Sequence, residues 1–290
     1  MIQWYPGHMA KAKRILKDDL KLVDLVIEVV DARVPFSSRN PDLKDLLEKK
    51  NQERISVLNK KDLADQKLNQ KWVEFFDEQR EAAVLLNSLT GEGVGELKSI
   101  LNNKHDNIAA KLAEKGRNPR RLRAMIIGIP NVGKSALINL LAGSQITTIG
   151  NKPGVTRGRQ WVNVNKNVRL LDTPGILWPK FSDEDTAYKL ALTGAVDNDI
   201  FDFELAAYKL IKFIVSFDED ILIDFYGIDS AAGHPYDILA DIGRKRGCLM
   251  TGGKVDRNRA AGVVINDYRD GKLGRITLEK PIEVLKNDLS

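Results

Sequence analysis

Residues 128–135 read Gly128-Ile129-Pro130-Asn131-Val132-Gly133-Lys134-Ser135, a match to G-x-x-x-x-G-K-[ST]. The apolar run A-M-I-I-G-I leads into it and S-A-L-I-N-L-L-A-G follows. A strand, a glycine loop and a helix are therefore expected in that order. Glycines let the main chain wrap a phosphate, and successive N–H groups then point at its oxygens. The pattern assigns Asn131, Val132, Gly133, Lys134 and Ser135 to a nucleotide's phosphates. Lys134 would place its ammonium on the β- and γ-phosphates, and the Ser135 hydroxyl would ligate Mg²⁺.

Two further elements lie downstream. Asp172-Thr173-Pro174-Gly175 closes the run N-V-R-L-L. An aspartate at the end of such a strand can hold Mg²⁺ through water, and the Gly175 N–H can meet a γ-phosphate. Between the two motifs, in K-P-G-V-T-R-G-R-Q, Thr156 is the candidate switch threonine for Mg²⁺ and the γ-phosphate, with Thr147 and Thr148 as competitors.

The base-reading element stands upstream, about 70 residues before the phosphate loop, in R-I-S-V-L-N-K-K-D-L (54–63). An Asp62 carboxylate can accept from guanine N1 and N2, which adenine cannot satisfy. Asn59 would bond the base and tie its loop to the phosphate loop, and the Lys60 stem would cover the base face. A third loop, Asn87-Ser88-Leu89-Thr90, ends the next expected strand; its backbone at Ser88 and Leu89 would meet guanine O6, with Ser88 bracing the turn. Chain order is no obstacle, because a site in an open parallel sheet collects loops from the carboxyl ends of several strands. Domain termini are often close, so a chain can be joined there and reopened elsewhere. The stretch from Gly93 to Arg123 is the expected joining element, and the new opening falls just after Gly175.

Strand-like runs at 25–33, in R-I-S-V-L-N and in A-A-V-L-L alternate with helical stretches, which indicates a parallel sheet. R-Q-W-V-N-V-N-K-N-V-R-L-L-D predicts two strands around an Asn-Lys-Asn turn. After about residue 179 the β signal fades into four helical stretches. The expected fold class is α/β: a P-loop domain of permuted motif order over 1–178, mainly parallel sheet flanked by helices, then a smaller α-helical C-terminal domain over 179–290. Residues 1–21 form an N-terminal segment with a basic helical face.

The 290 residues carry 45 Lys plus Arg against 40 Asp plus Glu, a mild excess that permits a nucleic-acid partner without demanding one. A single cysteine, Cys248, excludes an internal disulfide framework, and the three histidines show no zinc spacing. The N-terminus is charged where a signal peptide needs an apolar core, and no run approaches a membrane span; a cytoplasmic setting is expected.

With these motifs in the order NKKD, SLT, GIPNVGKS, Thr156 and DTPG, the chain resembles the circularly permuted GTPases, and more closely the ribosome biogenesis GTPase A (RbgA/YlqF) family. W-Y-P-G-H-M-A-K-A (4–12) and D-A-R-V-P-F-S-S-R-N-P-D-L (31–43) match that family's other hallmarks. The resemblance spans essentially the whole chain. It implies a GTPase that binds the precursor of the large ribosomal subunit through rRNA and promotes late maturation. GTP and GDP would be its nucleotides, and a monomer without membrane or DNA partners is expected.

Ile176 stands after DTPG, where many regulatory GTPases place a glutamine that orients the attacking water. From residues alone, His8 in P-G-H-M could brace a turn or polarise that water; the resemblance implies the catalytic role. Two roles are open to Asn131: a ligand for an activating K⁺, or a brace for the loop backbone. In G-R-K-R-G-C-L-M-T-G-G-K-V-D-R-N-R (243–259), six cations, Arg244, Lys245, Arg246, Lys254, Arg257 and Arg259, face one acid, Asp256. Glycines expose backbone among them, which suits contact with RNA phosphates. The alternatives are a regulatory GTPase acting on a protein or an acidic membrane, which lacks the amphipathic Trp/Phe-rich helix that reading needs, and an ATP-dependent kinase, which leaves NKKD unexplained.

Overall fold

The computed structural model describes residues 14–48, 52–144, 160–173, 183–197 and 201–281. His8, Thr156 and Gly175 lie outside those residues. The sheet elements are β1 (Leu25–Asp31), β2 (Glu53–Asn59), β3 (Ala82–Leu86), β4 (Leu122–Ile127), β5 (Gln160–Asn163) and β6 (Val168–Asp172). They form one sheet in the order β3-β2-β1-β4-β6-β5. Every pairing is parallel except β5–β6 at the edge. All seven residues of β1 are buried, as expected of a central strand covered on both faces. The β5–β6 turn is held by Asn165, whose Oδ1 accepts from the N–H groups of Asn167 and Val168, each at 2.8 Å.

Helices α1 (Pro41–Glu48) and α2 (Gln66–Glu78) connect β1, β2 and β3. The joining element is α3 (Val94–Ala113), whose 20 residues span about 30 Å. That exceeds the three strand spacings, about 14 Å, between β3 at one edge and β4 on the far side of β1. The join is secured by Asp24, just before β1. Arg120 Nη1 donates to its Oδ2 at 2.6 Å, and Arg123 Nη2 lies 2.9 Å from Oδ1. Burial opposes the Asp24 charge, but the two guanidiniums outweigh it and hold the carboxyl well below the usual range. Two cations of the basic segment 117–123 therefore clasp the sheet together.

After β4 comes α4 (Lys134–Ala142). Past the sheet the chain forms α5 (Glu184–Leu192), α6 (Phe203–Val215), α7 (Asp220–Tyr226), α8 (Pro235–Lys245) and α9 (Arg257–Arg269). The apolar sequence of α6 reflects its central place, in contact with all four of the others. The short helix α7 was not anticipated from sequence. Asp183, Asp202 and Asp256 cap α5, α6 and α9 by accepting a hydrogen bond from a first-turn N–H.

Beyond α9 the chain returns to the sheet. Ile276 N–H donates to Leu63 O at 3.2 Å and Leu278 N–H to Arg33 O at 2.8 Å. Asp65 N–H donates to Thr277 Oγ1 at 2.9 Å. The Glu279 carboxylate accepts from Phe36 N–H at 2.8 Å and from the Ser37 hydroxyl, while the Glu279 carbonyl accepts from Trp72 Nε1 at 3.3 Å. Trp72 is fully buried against Phe75 and Phe76. Trp72→Ala should destabilise the protein by about 3–5 kcal/mol through the cavity alone, measured by urea unfolding.

Candidate functional site

The parallel register aligns the strand ends that carry the loops. Asp31 of β1 pairs with Asn59 of β2, Asn59 with Leu86 of β3, and Ile126 of β4 with Asp172 of β6. The loops after β2, β3, β4 and β6 consequently emerge at one edge of the sheet.

The phosphate-type loop turns on backbone conformations that side chains resist. Asn131 has φ 61° and Gly133 φ 98°, both left-handed. A Cβ on Gly133 would lie 2.2 Å from Asn59 Nδ2. Lys134 opens α4 and is buried, with Nζ donating to Ile129 O at 2.7 Å across the loop's own curve. Burial pulls the Lys134 ammonium down to about 8, while Asp172 works in the opposite direction. Asp172 is buried at the end of β6, and burial pushes it up to about 6 against the pull of Lys134. Next to it, Thr173 Oγ1 donates to Ile126 O at 2.7 Å, which seals β6 to β4.

The resemblance to GTPases implies Mg²⁺, and the donor set fits it. Both Asp172 carboxylate oxygens are buried without a hydrogen-bond donor in bonding geometry among the described residues. A carboxylate of that kind and a first-turn serine hydroxyl are the hard-oxygen donors suited to Mg²⁺. Asp172 and Ser135 are the described residues that would hold the ion.

Asn59 joins three loops. Its Nδ2 donates to Val132 O in the phosphate-type loop at 2.6 Å and to Ser88 Oγ at 3.0 Å, while its Oδ1 accepts from Ser88 N–H at 3.0 Å. The β3 loop is shaped by Asn87, whose Oδ1 accepts from the N–H groups of Leu89 and Thr90. Leu89 is 83% exposed at its tip. Asp62 lies half-buried two residues past Lys60. The structure thus brings Asn59, Ser88, Val132 and Gly133 into mutual contact, with Lys134 facing Asp172 beside them.

Lys60 reveals a partner that sequence reasoning missed. It adopts φ 61°, and its Nζ lies 2.9 Å from Asp31 Oδ2. Asp31 also takes a bidentate pair from Arg33, Nε to Oδ1 at 3.0 Å and Nη2 to Oδ2 at 2.9 Å. Both members of that pair are fully buried. Burial alone would neutralise Asp31, but Arg33 and Lys60 overcome it and keep the carboxyl far below its usual range. Arg33 then donates Nη1 to Tyr268 O and Arg269 O, each at 3.3 Å, at the end of α9. The D-A-R triplet of the hallmark stretch was visible in the sequence, but its partners lie more than 230 residues away.

Asn131 also has a partner of its own: Nδ2 donates to Gly194 O, just past α5, at 2.6 Å. The six cations of 243–259 are all exposed, around the end of α8, the following loop and the start of α9. Four have local partners: Arg244 pairs with Asp241, Lys245 lies 3.5 Å from Asp229, Arg246 stacks over the Phe225 and Tyr226 rings at 5.0 Å each, and Arg257 lies over the Tyr236 ring at 5.9 Å. Trp161 is 38% exposed on the edge strand, with Arg169 stacked over its ring.

A six-stranded sheet with a G-x-x-x-x-G-K-S loop, an N-K-x-D loop and the aspartate end of β6 at one edge defines a P-loop GTPase of permuted order. A family described as 50S ribosome-binding GTPase matches residues 123–229. Ribosome biogenesis GTPase A of Bacillus cereus is 43% identical over 287 residues, covering 98% of this chain and 95% of that protein. The protein of the same name from Thermotoga maritima is 36% identical, covering 98% and 96%. The GDP-bound structure of TM YlqF matches with a TM-score of 0.64 at 32% identity, covering 93% of this chain and all of that one. The GNP-bound YlqF from T. maritima matches equally, with a TM-score of 0.64 at 34% identity, covering 93% and 98%. The chain belongs to the ribosome biogenesis GTPase A (RbgA/YlqF) family, and it is a GTPase.

Gly133 tests the contact between the loops. Gly133→Ala adds left-handed strain of about 1–3 kcal/mol and drives a methyl into Asn59. GDP affinity should fall at least about tenfold by calorimetric titration, with cooperative unfolding retained.

Proposed function

We propose that the chain is a GTP-hydrolysing assembly factor that binds the precursor of the large ribosomal subunit through rRNA and is stimulated by it. The observation that carries the nucleotide part is the Asn59 amide seated on Val132 O and Ser88 Oγ, which sets a base-reading loop against a phosphate-binding loop. In this reading Asp62 accepts from guanine N1 and N2, the Lys60 stem covers the base, and the Ser88–Leu89 backbone meets O6. The amides of Asn131, Val132 and Gly133 face the β-phosphate, and Lys134 bridges the β- and γ-phosphates. Ser135, Thr156 and Asp172 would hold Mg²⁺, and the Gly175 N–H would meet the γ-phosphate. Bound magnesium would offset charge on the phosphate oxygens. Pocket residues hold GTP in line, and His8 orients or polarises the attacking water.

The ribosomal part rests on the relatives' names and on the basic surface. Two relatives are named for ribosome biogenesis, and a mouse protein 34% identical is called mitochondrial ribosome-associated GTPase 1. The exposed cations at 244–246, 254, 257 and 259 form a surface suited to phosphate contacts. No helix among the described residues is long and apolar enough to cross a membrane.

Replacing Asp62 by Asn exchanges an acceptor for a donor opposite the purine N2 position. GDP affinity should drop about a hundredfold or more while xanthosine diphosphate gains; unchanged base preference would refute the assignment. His8→Ala should lower turnover in the presence of large subunits by about a hundredfold, with GDP affinity preserved. Cosedimentation with precursor subunits should weaken steeply as salt rises.

A further inference from the structure

The nucleotide loops are linked a second time, at a distance, through the helices. Arg269 ends α9, and its guanidinium turns toward the end of α5. Nε donates to Leu192 O at 3.1 Å and Nη2 to Ala191 O at 2.7 Å. A helix C-terminus leaves carbonyls without partners, and a cation there is favourable twice over, as donor and as charge. Two residues on is Gly194, with φ 81° and its Cβ direction 3.5 Å from Arg269 Nε. Gly194 O is the acceptor of Asn131 in the phosphate loop. On its other side, the Arg269 carbonyl accepts from Arg33, whose ion pair with Asp31 holds Lys60.

These contacts close a circuit. It runs Lys60, Asp31, Arg33, the end of α9, Arg269, the end of α5, Gly194 and Asn131. Val132 is the neighbour of Asn131, and Asn59 is the neighbour of Lys60. The Asn59–Val132 hydrogen bond completes the ring on the nucleotide side. We propose that Arg269 is a positioning residue for guanine-nucleotide binding, holding the base-reading and phosphate loops in register from behind without touching the nucleotide. Burial and the neighbouring Arg33 both disfavour its charge, so its retention there is bound to the carbonyls it reaches. Without them the end of α5 loses its cap, Gly194 shifts, and the Asn131 tether goes slack.

The inference rests on the nucleotide-site reading above, and the test separates the two. GDP dissociation constants are measured by calorimetric titration of the full chain for wild type, Arg269→Gln, Asn131→Ala and the double variant, with KM and kcat for GTP alongside. Arg269→Gln should weaken GDP binding about fivefold or more, with the kinetic loss falling on KM rather than kcat. Its effect should shrink in the Asn131→Ala background, because one broken ring cannot be broken twice. Arg269→Lys, able to reach one carbonyl, should recover part of the loss, and it carries the same cycle if the glutamine variant is insoluble. Wild-type affinity in Arg269→Gln would overturn the proposal, as would losses that simply multiply in the double variant. Absence of GDP binding in the wild type would instead overturn the site itself.

Discussion

A single side-chain amide ties together three loops of the candidate site. Asn59 has one donor group and one acceptor, and it spends both on other loops: Val132 O and Ser88 Oγ on one side, Ser88 N–H on the other. It is fully buried, so each of those bonds is made where water cannot compete. The geometry leaves room for nothing at Gly133 beyond a hydrogen, and it makes the base side and the phosphate side of the pocket one object. Permutation of the chain becomes harmless for that reason, because the contact is made in space by two strand ends with β1 between them.

Charge is handled differently at the two ends of the pocket. Behind the base loop, Asp31 sits in the protein interior and is kept ionised first by Arg33, itself satisfied by helix-end carbonyls, and then by Lys60, whose ammonium burial pulls down. Breaking one member of such a cluster strands the others in a medium that solvates them poorly, which makes the cluster rigid. On the phosphate side, Lys134 and Asp172 are instead each pushed toward neutrality by burial. That arrangement favours bringing in compensating charge, and a phosphate with its cation supplies both signs at once.

Much of this was legible in the sequence. The β-branched runs, the glycine loop and the alternation of strands and helices follow local rules, and the structure repeats them strand by strand, including the Asn-turn hairpin of β5 and β6. The Asn59 link was readable because both motifs, read as serving one ligand, must come together whatever their order. What could not be read were contacts whose partners share no ligand and no local pattern. The Arg33 side chain reaches Tyr268 and Arg269, and Asn131 reaches Gly194. The return of 276–279 onto Arg33, Phe36, Ser37, Leu63, Asp65 and Trp72 carries no periodic signal, being four residues long. The short α7 is too brief for its pattern to register.

The join through α3 has a cost during synthesis. In the finished sheet β1 is central, flanked by β2 and β4, but its partner residues on β4 lie about a hundred residues later, Leu25 opposite Ala124. At the usual pace of translation that stretch takes about 5–20 s to emerge. During that interval the newborn chain presents β1, five of whose seven residues are apolar, with one side unpaired, an open template for adventitious pairing. A GTPase of ordinary order makes its phosphate-loop strand first; here that strand, which completes the pairing of β1, is the fourth to emerge.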